Sequence, residues 1–501
     1  MSVQNIRKIF SSNRNKAIAL LMIVLLGVSV LSISMYQNHQ KLYGTHVKVG
    51  NYEISTLEYN FYKKTYEDSF INKYSDYLET LGIDTEEDYK NQQCLEYDMT
   101  WNEYFEGRTL EFIQEVYILY DDALKNKFEI NIDELYDDFI KKCSESAQLE
   151  ELTLDEYLSG YYSSGATEKN FKDVYGRYIT AIKYREEKKK SLAPNDEEIN
   201  EFYSKNKKSL DAVTYRNFVI KADYKDDASD EDKTKAMDEA RTKAEEMFKQ
   251  IYDQEKYVEL CKKYDSKKDE NKDYDKETLH KNVSFSDCNE ALSSWLFDDE
   301  REVNATAIIE DNTNMEYNVV YFISRGKNNT KTVDFKHILI APETDSEGNI
   351  VDGGLKKAKE KADEVYSEWE KSDRKISTFD SMVKKYSNDT ETVDDGGKYE
   401  AIAEGTLPEK MDAWLFESGR KSGDTAIVET GSGYHIVYYL NEGKEEWQVL
   451  SINQITEERY QDFIDKQLEK FKIVDVKGEV QYLKLSTADQ AIASKDELTT
   501  K

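Results

Sequence analysis

The chain has 501 residues, too many for one compact domain and enough for three or four. Hydrophobic residues at 39 % and aromatic residues at 12 % exclude a disordered chain, although 34 % of the residues are charged. The net charge of −32 is spread along the chain with no basic groove, which excludes a nucleic-acid partner.

Residues 1–16 form a basic stretch with Arg7, Lys8, Arg14 and Lys16, and residues 17–34 run without a charge. At about 1.5 Å per residue the run is long enough to cross most of a bilayer core. It predicts a transmembrane signal anchor over 17–36, with 1–16 cytoplasmic. The bulk of the chain is then extracytoplasmic and the protein a single-pass protein of the cell membrane. A cleaved signal peptide ending at Ser32-Ile33-Ser34 and a buried soluble helix are the alternatives. The apolar run exceeds the usual signal-peptide core, and no cysteine follows to take a lipid.

Residues 45–212 follow as a mostly helical domain. Ser55 and Glu58 fit a capping box, and Tyr59, Tyr62, Tyr66 and Phe70 recur at helical spacing. "EYFEGRTLEFIQEVYILYDDALKNK" is the clearest amphipathic run, and Pro194 marks a further helix start. Two mixed units come next, 213–327 and 333–441, then a helical segment 444–485 whose Ile455, Tyr460, Phe463, Ile464, Leu468 and Phe471 share one face. Residues 486–501 read as a loose tail. Of the four cysteines, Cys94 with Cys143 and Cys261 with Cys288 are the pairings inside single domains; free buried thiols are the equal alternative. None has the neighbours for thiol chemistry or zinc.

The two mixed units are copies of one pattern. "TYRNFVI" matches "DFKHILI", "YVELCKKYDS" matches "FDSMVKKYSN", and "WLFDDEREVNATAIIEDNTNMEYNVVYFISRG" matches "WLFESGRKSGDTAIVETGSGYHIVYYLNEG". Matching residues lie about 120 positions apart, as one fold with small loop insertions produces. The later copy has His337 and His435 where the earlier has Asn217 and Asn318, and Asp389 where the earlier has Lys267.

The second copy resembles the parvulin family of peptidyl-prolyl cis-trans isomerases, and the chain as a whole resembles exported foldases of the PrsA and SurA type. "HILI" at 337–340, "FDSMVKKYSND" at 379–389, "DGG" at 395–397, "WLF" at 414–416 and "TGSGYHIV" at 430–437 carry the resemblance in family order. It implies an α+β multidomain chain: the N-terminal transmembrane helix, a mostly helical SurA-N-like chaperone domain, two parvulin-like α+β domains in tandem, and a C-terminal helix. It also implies that His337 and His435 are the paired central histidines. Asp389 faces the substrate, Ser432 is the polar residue beside the second histidine, and Tyr399, Leu407 and Met411 line a proline pocket. The sequence departs from the family at "GGKYE" (396–400), Leu407 and Met411.

The chemistry suits these residue types. Rotation about an X-Pro bond breaks no covalent bond, and its barrier of roughly 20 kcal/mol comes from amide resonance. The catalyst needs an apolar slot for the ring and polar groups that favour the twisted amide, and no metal or cofactor. The expected partners are unfolded or partly folded exported proteins with X-Pro bonds, together with the membrane through residues 17–36. The first copy, lacking both histidines, is expected to bind or space without catalysing. The competing expectation for the whole chain is a binding-only chaperone or scaffold with both copies silent. Clients and oligomeric state are not legible.

Overall fold

The structure is a computed structural model that describes residue 39 and residues 42–475 apart from 95–96, 226, 267–271 and 346–347. The chain divides into two compact units: residues up to Ala193 with those from Thr456 onward, and Pro194–Ile455.

In the first unit, strands β1 (Thr45–Val49) and β2 (Tyr52–Ser55) lead into helices α1 (Thr56–Lys73), α2 (Trp101–Lys125), α3 (Ile132–Leu149), α4 (Leu154–Tyr161) and α5 (Glu168–Ser191). Local chemistry sets the helix starts. Thr100 with Glu103, Thr153 with Glu156 and Thr167 with Asn170 form complete capping boxes, which satisfy otherwise orphaned N–H groups. Ser55 caps α1 by accepting from the Glu58 N–H, but the Glu58 carboxylate turns into the core instead of back to the cap. There it accepts from both the Nε and Nη2 of Arg177, and from the hydroxyls of Tyr62 and Tyr117. Glu58 is only 2 % exposed, so these four bonds are what make a buried charge tolerable.

The chain end completes this unit. Tyr460, Ile464 and Phe471 enter the same apolar cluster as Leu57, Phe61, Ile113 and Phe171, and the strand Ile473–Asp475 pairs antiparallel with β1, Val49 opposite Ile473. Of the face read from the sequence for the last helix (Glu446–Leu468) and the residues after it, Tyr460, Ile464 and Phe471 are buried here and Phe463 packs against them, whereas Leu468 is exposed.

The second unit opens with α6 (Asp196–Lys205), capped by Asn195 and Glu198 with Pro194 just outside it. Two four-stranded antiparallel sheets follow. The first contains β3 (Asp211–Lys221), β4 (Leu279–Ser284), β5 (Thr306–Asp311) and β6 (Glu316–Lys327), with helices α7 (Asp230–Phe248), α8 (Gln254–Tyr264) and α9 (Glu290–Leu296). The second contains β7 (Lys331–Ile340), β8 (Lys398–Ile402), β9 (Thr425–Thr430) and β10 (Gly433–Glu445), with α10 (Gly354–Lys371), α11 (Ile376–Tyr386) and α12 (Glu409–Leu415). Spatial orders are β4-β3-β6-β5 and β8-β7-β10-β9, the same topology twice.

Strand alternation divides each sheet into two faces. In the second copy Ile338, Ile340, Ile436 and Tyr438 pack against α10 and α11 with Ala362, Trp369, Phe379 and Val383. Val333, Phe335, Val437 and Tyr439 pack on the other face with Met411 and Leu415 of α12. A buried cation sits on the helix-covered face in both copies. Lys336 pairs with Asp380, and Arg216 with Asp275 and Gln254.

Two sequence expectations are corrected. No helix among the described residues is long and apolar enough to cross a membrane. The longest, α2, interleaves its buried side with Glu103, Glu106, Arg108, Glu111, Glu115, Asp121 and Asp122, charges that a hydrocarbon core does not accept. The expected anchor at 17–36 and the stretch before it lie outside the described residues, as do 476–501. The fold class of the described residues is therefore α+β without the transmembrane element, which corrects the expected single-pass membrane placement. Of the two equal readings of the cysteines, buried thiols without a disulfide are what the structure has, at all four positions. Cys143 lies in the main helical core and Cys94 in a separate aromatic cluster, while Cys261 and Cys288 lie on opposite faces of the first sheet.

Replacing Arg177 by Met would leave Glu58 as a buried carboxylate without its cation. We expect the first unit to lose about 3 kcal/mol, read from the urea midpoint by circular dichroism. A loss below about 1 kcal/mol would show that the tyrosine hydroxyls alone carry the charge.

Candidate active site

The antiparallel register of β7 and β10 sets Leu339 opposite His435 and His337 opposite Val437, so the two histidines are diagonal neighbours on one face. Their rings stack with centroids 5.1 Å apart, and the Nδ1 atoms are 2.9 Å apart. Both are buried, at 4 % and 7 % exposure.

Two glycines let the backbone close around them. Gly397, at φ +71°, accepts the His337 N–H at 2.8 Å, and a Cβ there would stand 2.2 Å from the His337 carbonyl oxygen. Gly433, at φ +133°, leads into His435 where a Cβ would stand 2.4 Å from the Ile340 oxygen.

The segment after α11 brings in the carboxylate. Asn388 donates its N–H to the Leu339 carbonyl along β7, and Asp389 Oδ2 comes within 2.6 Å of His337 Nε2. The Thr392 hydroxyl donates to the same oxygen at 2.5 Å, the Tyr399 hydroxyl at 3.3 Å, and the Glu391 N–H to Oδ1 at 3.0 Å. At the other end the Thr430 hydroxyl lies 2.8 Å from His435 Nε2 and accepts the Ser432 N–H at 3.2 Å.

These contacts fix every proton when both rings are neutral. Burial pushes the Asp389 carboxyl up, but the bonds from Thr392, His337 and Glu391 outweigh it and hold it below the usual carboxylate range. It therefore only accepts, so His337 carries its proton on Nε2. His337 Nδ1 must then accept from a protonated His435 Nδ1, and His435 Nε2 must accept the Thr430 hydroxyl proton. Each group, from the Ser432 N–H onward, donates toward Asp389. Burial pushes His337 below the ordinary imidazole value, against the pull of Asp389. Burial, and then His337, push His435 down to about 4.

Beside this chain lies an apolar cluster. Phe335 stacks on Tyr399 at 5.1 Å, Tyr399 meets His337 edge-on at 5.2 Å, and Leu407 and Met411 belong to the same cluster. Burial and then Asp389 push the Tyr399 hydroxyl up to about 12, so it stays a donor.

Six of the seven residues expected from the sequence thus gather on one face: His337, His435, Asp389, Tyr399, Leu407 and Met411. Ser432 is exposed and joins only through its backbone; the hydroxyl beside the second histidine is that of Thr430. Thr392, Thr430 and Phe335 were not read from the sequence. Only strand register could have indicated Phe335, two residues before His337, and Thr430, opposite Gly433.

Residues 337–441 match the family model of the PPIC-type PPIase domain, the rotamase model. The chain carries a parvulin-type peptidyl-prolyl cis-trans isomerase domain. No curated protein matches the chain. Solved structures similar to parts of it include the PPIase domain of TbPar42, at 22 % identity over 22 % of this chain and 99 % of that one, TM-score 0.19. PrsA from Bacillus subtilis is 19 % identical over 63 % and 91 %, TM-score 0.21. A Campylobacter jejuni structure described among two SurA-like chaperones, PEB4 and Cj1289, is 14 % identical over 66 % and 90 %, TM-score 0.18.

Between pH 6.5 and about 4 the unfolded chain protonates histidines that the folded site keeps neutral. Stability is therefore undiminished above that window and falls as pH drops through it. Urea midpoints across the window should decline more steeply for the native chain than for a His337→Phe/His435→Phe double variant. Equal slopes would refute the neutral-pair assignment.

Proposed function

We propose that the chain is a foldase whose second copy isomerises X-Pro bonds of unfolded or partly folded polypeptides, with His337, His435, Asp389 and Thr430 forming the polar floor of the site. The carrying observation is the directed chain of hydrogen bonds lying beside an apolar cluster, within the residues that match the isomerase domain.

The chemistry follows from what the site lacks as much as from what it has. Asp389 accepts from Thr392, His337 and Tyr399 on Oδ2 and from the Glu391 N–H on Oδ1, so we read it as a strut and not a nucleophile; rotation about an amide needs none. The proline ring sits against Phe335, Tyr399, Leu407 and Met411. As the carbonyl turns out of plane, the amide loses conjugation and its charge distribution shifts. A floor of dipoles already fixed in direction solvates that state without reorganising, whereas bulk water must turn to do so. Met411 gives the slot a flexible thioether wall, which accommodates rings of varied pucker with less grip than a flat aromatic side chain. The helical first unit, with its tyrosine-rich core and half-exposed phenol tips, is read as the part that holds an unfolded client while the bond turns.

The test is cis/trans exchange of a prolyl peptide by the full chain. His337→Ala, His435→Ala and Asp389→Ala should each slow it by roughly tenfold or more, with circular dichroism unchanged. An unmutated chain no faster than the uncatalysed exchange would overturn the isomerase reading.

A further inference from the structure

The first copy repeats the register of the second, and its site face carries a different polar centre. Asn217 pairs opposite Val320 and Asn318 opposite Val219, so the two amides are diagonal neighbours as the histidines are. Asn217 Nδ2 donates to Asn318 Oδ1 at 2.7 Å. His280 takes the place of Tyr399, stacking on Tyr215 at 4.8 Å as Tyr399 stacks on Phe335.

The difference lies in what is left over. In the second copy the outer nitrogens of both histidines have partners, Asp389 and Thr430. In the first, Asn217 Oδ1 and Asn318 Nδ2 are buried and have no hydrogen-bond partner among the described residues. The reason is visible on the Asn318 side. Asp311 occupies the position of Thr430, and its carboxylate is taken by the turn that follows, through the N–H groups of Thr313 and Asn314 and the Asn314 side chain. The Lys267 position, opposite Asp389, lies outside the described residues. Asn318 is 1 % exposed, and a buried polar group left unpaired is costly.

Two primary amides joined by one bond leave one donor atom and one acceptor atom with no partner, and exchanging the assigned oxygen and nitrogen of both leaves that unchanged. An extended residue turns its own N–H and C=O to the same side, which supplies the complementary pair. A prolyl residue supplies only the carbonyl, because its nitrogen has no hydrogen.

We propose that the first copy is a binding site for extended, proline-free polypeptide, in which Asn217 and Asn318 together grip the N–H and C=O of one residue. Asn217 is only partly buried and is the member of the pair nearer the open face. The site selects against the residue that the second copy takes. Proline or an N-methylated residue leaves one Asn atom unpaired and is rejected.

The full chain is titrated with a short fluorescein-labelled proline-free peptide and with its fully N-methylated twin, read by anisotropy. The twin should bind roughly tenfold more weakly. In an Asn217→Leu/Asn318→Leu variant, which removes both amides together, the unmethylated peptide should fall to the affinity of the twin. Equal affinities of the two peptides, or an unmethylated peptide that binds the double variant as tightly as the native chain, would overturn the proposal. Should the variant fail to fold by circular dichroism, a photoreactive form of the peptide on the native chain decides: cross-links within β3 or β6 are expected, and cross-links confined to other segments refute the site. Prolyl exchange by the native chain, measured in parallel, reports on the second copy alone.

Discussion

The register of two central strands is the constraint on which both copies depend. Because side chains alternate along a strand, a one-residue slip between β7 and β10 would send His435 to the helix-covered face and bring Tyr434 or Ile436 to the site. The pairing of Leu339 with His435 and His337 with Val437 is held from both faces at once. Ile338, Ile436 and Tyr438 cannot leave the core under α10 and α11, and Phe335 and Val437 cannot leave the cluster under α12. The histidine pair is thus a consequence of apolar packing on its flanks. The glycines at 397 and 433 matter for the same reason, since they allow the loops to follow a register already fixed.

Given the pair, the direction of every proton follows from a single charge. Asp389 is an acceptor because Thr392, Tyr399 and the Glu391 N–H surround it, and that choice propagates through His337 and His435 to the Thr430 hydroxyl. Burial reinforces the choice by keeping both rings neutral. A charged His337 would put a donor on each inner nitrogen and break the ring-to-ring bond, and a charged His435 would put a proton on Nε2 against the Thr430 hydroxyl proton.

Much of this was legible in the sequence, and the limits are physical. His337, His435 and Asp389 stood in three separated motifs, and the periodic burial of the closing helix could be read from Tyr460, Ile464 and Phe471. Tyr399, Leu407 and Met411 came from resemblance and lie in one cluster. Thr430 was displaced by Ser432 in the reading because nearness along the chain is a poor guide across a tight turn, where the residue facing His435 is set by pairing with β9. That the disulfide alternative is not the one found has a similar reason. Cys261 and Cys288 are close in sequence but a sheet separates them, and spacing carries no information about faces. Glu58 was read as half of a capping box, which its position allows; only Arg177, more than a hundred residues away, shows why its carboxylate turns inward.

Comparison of the copies separates what the fold requires from what the chemistry requires. Both keep the topology, the strand register, an aromatic pair of adjacent strands and a buried cation on the helix-covered face, Arg216 or Lys336. These sustain a sheet packed on two sides. What differs is confined to the groups that complete the polar centre. Asn217 and Asn318 fill the diagonal as the histidines do, but an amide has a donor and an acceptor on one carbon and cannot pass a proton preference along a ring. The chain of aligned dipoles therefore ends after one bond, with a donor and an acceptor left facing nothing. The same backbone that presents a directed, neutral chain of hydrogen bonds in one copy presents in the other a pair of opposed hydrogen-bonding groups, whose proposed complement is an ordinary peptide unit.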